Sequence, residues 1–215
     1  AIPRQTSGAT AYWVAESAAV TESQAAFDQV QMSPKTVGSY SDISRKLLLQ
    51  SSIDIEGFVR NDLAMRLAMA IDLAAIAGTG SSNQPTGILA TTGIGAKTFA
   101  AIGNPTFGEM VDVESQVSVD NALFGSLAYV STAAMAGAMK QKAKDSGSGQ
   151  FVMANNQVNG YNMAVTNQMT ANTVVFGNFA DLIIGMWGGL DINVDTSTGS
   201  SSGTVRVVCL QDVDI

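Results

Sequence analysis

The stretch from Ser51 to Ala77 constrains this chain more than any other. Val59, Leu63 and Leu67 recur every four residues, and Phe58, Met65, Met69 and Ile76 widen the apolar face at helical spacing. Ala64, Ala68, Ala70, Ala74 and Ala75 add strong helix formers. Ser51 and Asp54 match the Ser-x-x-acid capping pattern, in which side chains satisfy the amide donors that a helix start leaves free. Gly78 is placed to end the helix in a left-handed conformation. A helix of this size is on the order of 35 Å long. Its Met and Leu stripe reads as core packing.

Shorter elements surround this rod. Tyr12-Trp13-Val14 is an aromatic and β-branched run and reads as a strand; Phe27 to Met32 alternates imperfectly and reads as a second. The segment between them is small and polar, so the pair is an extended hairpin whose tip has too few apolar residues for a core of its own. Pro34 suits a strand edge or bulge, and Val37 to Ser44 continues as strand. Thr106 and Glu109 form a second capping box, opening a helix that ends near Asn121. Leu127 to Val130 reads as a buried strand, and Ser131 or Thr132 caps a helix over Ala133 to Lys144. Lys140, Lys142 and Lys144 in its last turns complement the helix dipole. Beyond Gln150 come short strands: 151–153, 163–165, 174–176, 182–187, 190–194 and 205–210. Thr196 to Thr204 is an exposed Ser/Gly loop.

Composition closes several routes to chemistry. The chain has no histidine, which removes Ser-His-Asp and Cys-His catalysis and His-ligated zinc. The one cysteine, Cys209, allows no intrachain disulfide and reads as a buried small hydrophobe in an apolar run. A net charge of -7 argues against a nucleic-acid reader. Only 13% of residues are charged, about half the usual share, so the surface relies on Ser, Thr, Asn, Gln and Gly or is covered by partners. No stretch approaches the roughly 20 apolar residues that span a bilayer. The Gly-rich loop from Gly78 to Gly87 follows a helix and contains no lysine, so it reads as a connector and not a phosphate cradle. Asp191 and Asp195 bracket a strand, and Asp212 and Asp214 sit two apart near the end; both pairs read as solvated surface acids. No catalytic residue, cofactor site or metal site emerges, and no enzyme is expected.

The order of elements is more specific. Ile2-Pro3-Arg4 leads into Ala11 to Glu16, then Phe27, Pro34-Lys35 and Ser44-Arg45-Lys46-Leu47-Leu48. Asp54-Ile55-Glu56, the long helix, Gly78-Thr79-Gly80 and Gln84-Pro85-Thr86-Gly87-Ile88 follow, then Phe176-Gly177-Asn178-Phe179 and Gly189-Leu190-Asp191-Ile192. This pattern resembles the tailed-phage major capsid family of the Hong Kong ninety-seven type, over nearly the whole chain and most strongly from Ile2 to Leu89.

The resemblance implies an α+β fold with a peripheral domain over 1–121, an axial domain over 122–204 and a return strand over 205–215. Within the first lie an extended loop at 15–34 that covers a neighbouring subunit and a spine helix at 51–77. The loop at 196–203 would point toward a capsomer axis. Glu16, Glu22, Gln24, Phe27, Asp28, Thr198 and Ser200 become subunit-interface candidates. The implied partners are copies of the chain in hexamers and pentamers, scaffolding and portal proteins, and packaged DNA held non-specifically; no membrane is involved. The implied location is the virion, after assembly in the host cytoplasm. The family usually adds an N-terminal arm and a final peripheral strand, so a piece trimmed at both ends is expected. Some relatives crosslink through a lysine in the extended loop; 15–33 holds none, so no crosslinking is expected. Two other readings share the composition: an encapsulin-like compartment shell on the same fold, and a secreted surface-layer or adhesin-type protein, against which the lack of repeats counts.

Overall fold

A computed structural model describes residues 2–50, 54–147 and 149–215, and the chain divides into two units, Ala1–Ser33 and Pro34–Ile215. The first is a hairpin. β1 (Ile2–Ser7) pairs antiparallel with β2 (Ala26–Val30), placing Ile2 opposite Val30 and Gln5 opposite Phe27. The segment between them closes on itself. Ser23 Oγ accepts from the Thr10 amide at 2.9 Å and donates to the Thr10 carbonyl at 3.1 Å. Ala18 N–H donates to Ala15 O at 3.0 Å around Ser17, whose φ is 63°. Tyr12-Trp13-Val14, expected as a strand, has no cross-strand partner and forms none. Aromatic and β-branched residues favour strands by packing against a neighbour, and the neighbour of β2 is the polar β1.

In the second unit, β3 (Lys35–Ser44) runs into a short helix, α1 (Arg45–Gln50), and then α2 (Ile55–Ala77). Asp54 caps α2, its carboxylate accepting from Gly57 N at 3.0 Å; Ser51, the other half of the expected capping pattern, lies outside the described residues. Gly78 does not adopt the left-handed conformation expected of it, having φ -59° and ψ 136°. Glycine is needed there for close approach. Gly78 N–H donates to Ala74 O and its carbonyl accepts from Gly87 N, each at 2.9 Å, and a β-carbon would run into the Ala74 and Pro85 carbonyls.

α3 (Phe107–Val119) starts with the full capping box of Thr106 and Glu109. β4 (Leu127–Ser131) leads to α4 (Ala133–Gln141), whose cap is Thr132. α4 stops earlier than expected because Val152 and Met153 fold back on its end. Val152 N–H donates to Lys142 O at 2.9 Å and Met153 N–H to Met139 O at 3.2 Å. That use of the backbone also explains why 151–153, expected as a strand, contributes only one bridge, Ala143 to Phe151. β5 (Gln157–Val158), β6 (Tyr161–Val165) and β7 (Val174–Asn178) follow, then β8 (Gly185–Asp195) and β9 (Thr204–Asp214). β8 fuses the two short strands expected at 182–187 and 190–194. Its register against β9 shifts between Trp187 and Asp191, where Gly188 takes φ 71°.

Two sheets result. One has the order β5-β6-β4-β7 and mixes parallel and antiparallel pairs; the other is antiparallel with the order β3-β9-β8. Each has its own core. Met110, Tyr129, Met135, Met139, Met153, Val158 and Phe176 fill the first, with the Tyr129 and Phe176 rings 4.4 Å apart. The second joins Leu63 and Leu67 of α2 to Ile43, Val207 and Cys209 of its sheet. The boundary expected between 204 and 205 falls beside the tip of the β8–β9 hairpin. β8 and β9 both belong to the sheet that packs on α2, not to the one that follows α3. The loop expected at 15–34 includes β2 and lies within the hairpin that β1 and β2 form.

Candidate assembly surfaces

None of the hairpin's described residues is buried, and only Ile2, Ser23, Ala25 and Met32 are partly covered. Trp13 has no cover at all, at 105% of the reference exposure, and Phe27 is 72% exposed. Exposed apolar surface on this scale marks a contact site more often than a free surface. Its polar residues are loosely engaged. Glu22 accepts from Gln24 Nε2 at 3.0 Å, and Asp28 accepts from the Gln29 amide at 2.7 Å with Arg4 3.9 Å away. Glu16, beside the left-handed Ser17, and Glu22 meet no cation among the described residues.

The other two candidates, Thr198 and Ser200, sit at the tip between β8 and β9. Asp195 organises that tip. Its carboxylate accepts from the Thr198 hydroxyl and from the Ser197 and Thr198 amides, the first amide at 2.7 Å. These bonds, the Thr198 hydroxyl foremost, hold the carboxyl below its ordinary pKa. Gly203, left-handed with φ 64°, closes the turn, and its carbonyl accepts from Arg45 N at 2.9 Å, tying the tip to the start of α1. The seven candidates thus fall into two groups: Glu16, Glu22, Gln24, Phe27 and Asp28 on the hairpin, and Thr198 and Ser200 on the turn between β8 and β9.

The sequence reading missed three features. α1 carries Arg45, Lys46, Leu47 and Leu49 outward while Leu48 packs on the second core. Neither Arg45 nor Lys46 meets a carboxylate among the described residues. Asp42 is gripped by Arg206 at 2.7 and 2.9 Å, which lowers the Asp42 pKa, and Asp195 holds its own turn. α2 is apolar on two sides. Leu63 and Leu67 face the sheet, whereas Phe58, Met65 and Met69 lie on a line about 160° away and are exposed. Asp214, expected as a solvated acid, is 5% exposed and pairs with Lys35 Nζ at 2.8 Å, closing β3 on β9; Asp212 accepts from the Thr36 hydroxyl at 2.5 Å. Among the described residues no group of three or more His, Cys, Asp or Glu side chains could hold a metal, and no helix is long and apolar enough to cross a membrane.

A family model described as the phage capsid family matches residues 1–215, the whole length of the chain. The chain belongs to the phage capsid family. Within it, the major capsid protein of Halomonas phage phiHAP-1 is 37% identical over 216 residues, covering 100% of this chain and 35% of that protein. The chain therefore spans about a third of the length of that curated relative. Among solved structures, the capsid of the native GTA particle matches with a TM-score of 0.80 at 20% identity, covering 99% of this chain and 79% of that one. Mycobacterium phage Adephagia matches with a TM-score of 0.75 at 13% identity, covering 99% and 76%. The capsid fold is thus the α+β, Hong Kong ninety-seven-type architecture that the order of elements implied.

Proposed function

We propose that this chain is the shell-forming part of a phage major capsid protein, a structural and not a catalytic subunit that assembles with copies of itself into hexamers and pentamers of an icosahedral head. The observation that carries the reading is the hairpin. Residues 2–33 have no fully buried side chain, yet display Trp13, Phe27, Val14 and Val20, and a segment that cannot pay for its own ordering folds productively against a neighbour. In this reading the hairpin is the extended loop, with Glu16, Glu22, Gln24, Phe27 and Asp28 at a subunit interface. Thr198 and Ser200 form a second contact. α2 is the spine helix of a peripheral domain made of 34–121 and 185–215, and the intervening segment is the axial domain. Scaffolding and portal proteins are the further partners, packaged DNA faces an acidic wall without specific contact, and assembly takes place in the host cytoplasm before the shell becomes part of the virion.

The test is the solution mass of the chain by light scattering, with negative-stain microscopy, across salt and concentration. Rings or shells are expected, and replacing Trp13 and Phe27 with Ser abolishes them without lowering the melting temperature of the Pro34–Ile215 unit. A chain that stays monomeric under all these conditions overturns the reading.

A further inference from the structure

We infer that the hairpin of one copy docks on α1 of a second copy, its unpaired carboxylates and Trp13 seated on Arg45, Lys46, Leu47 and Leu49. This rests on the shell reading above and names the surface that receives the hairpin. The two surfaces are complementary in charge and in kind. The hairpin carries Glu16, Glu22 and Asp28 against the single cation Arg4, which already stands beside Asp28. α1 carries two adjacent cations, and Asp42, three residues before the first of them, is held by Arg206. Both surfaces are also apolar: Trp13, Val14 and Val20 on one, Leu47 and Leu49, the latter 74% exposed, on the other. An exposed indole beside two uncommitted cations suits a cation–π contact, which takes Arg or Lys over a Trp face within about 6 Å. Trp and Arg are the residue types that anchor interfaces most often. The Arg45 amide also donates to the Gly203 carbonyl, tying α1 to the end of the turn that carries Thr198 and Ser200.

The experiment uses the full chain in two forms. In the first, Glu16→Lys with Glu22→Lys, and separately Arg45→Glu with Lys46→Glu, are followed by light scattering and microscopy. Each pair is expected to lose most of the assembled fraction, and the four changes together to recover it; far-UV circular dichroism and melting temperature report that the variants fold. In the second, Trp13→Cys and Leu49→Cys chains are mixed and oxidised. Buried Cys209 stays silent, and a dimer band that forms only in the mixture is expected. Shells from the unmodified chain with no rescue by the combined reversal and no mixed disulfide overturn the inference while leaving the shell reading standing. A disulfide that forms only within doubly substituted single chains overturns docking between copies. Failure of the unmodified chain to assemble brings down the shell reading itself, and the inference with it.

Discussion

At the scale of single residues, the least legible contacts are those that join distant parts of the chain. Asp214 looked like a terminal surface acid, because nothing near it in sequence is positive; its partner, Lys35, lies 179 residues away. The pair sits at the open end of the β3–β9 ladder, with Asp214 nearly buried and Lys35 partly so. Removing the ammonium from beside a buried carboxylate costs about 2 kcal/mol, so Lys35→Ala is expected to lower the urea midpoint visibly, whereas Arg4→Ala, at an exposed and loose pair, leaves it unchanged. Cys209 was legible, since a thiol in the apolar run Val205 to Leu210 has few reasons to be elsewhere than in a core. It is fully buried, and burial pushes its thiol pKa up. The sign follows: a raised native pKa stabilises the fold below the unfolded thiol's pKa of about 8.5, and that contribution is lost as pH rises beyond it. Folded protein should not react with a thiol reagent until denaturant is added, and Cys209→Ala should remove part of the loss of stability seen at alkaline pH.

At the scale of elements, local chemistry was legible and pairing was not. Thr106 and Glu109 lie three residues apart, and their capping box can form whatever the rest of the chain does. Glu109 accepts from the Thr106 amide at 2.7 Å, from the Ala100 amide at 2.6 Å and from the Thr106 hydroxyl at 2.8 Å, the Thr106 amide being the largest cause of its lowered pKa. A depressed carboxylate stabilises the fold above the unfolded value of about 4.3, and the contribution disappears as pH falls. Thr106→Ala is expected to cost about 1 kcal/mol. The melting temperature of Glu109→Gln should lie below that of the parent at neutral pH, with the gap narrowing in acid; a gap independent of pH would mean that the charge does not matter. By contrast, Tyr12 to Val14 has strand-forming residues and no strand, because β2 pairs with Ile2–Ser7 instead. β8 runs through Gly188 and Gly189, which read locally as a break, because β9 pairs on both sides of them. The two-sided apolar pattern of α2 was visible as a widened face, but sequence periodicity cannot say which side meets the sheet.

At the scale of the whole molecule, the chain joins a unit with two cores to a unit with none, and that imbalance can be read with one fluorophore. The chain has two tryptophans, and Trp187→Phe leaves Trp13 as the only one. Trp13 is fully exposed in the single chain, so its emission should resemble that of free indole in water and acrylamide should quench it freely. Packing of Trp13 at a contact between copies removes its ring from water. Emission should then shift to the blue, and quenching should fall several-fold, at the same protein concentration at which light scattering reports assembly. Trp13→Phe keeps an aromatic ring and should assemble more weakly than the parent but better than Trp13→Ser, the order expected if apolar area and ring face both contribute. Assembly that leaves Trp13 as quenchable as in the single chain would place the tip of the hairpin outside every contact, and the cause of its exposed aromatic would have to be sought elsewhere.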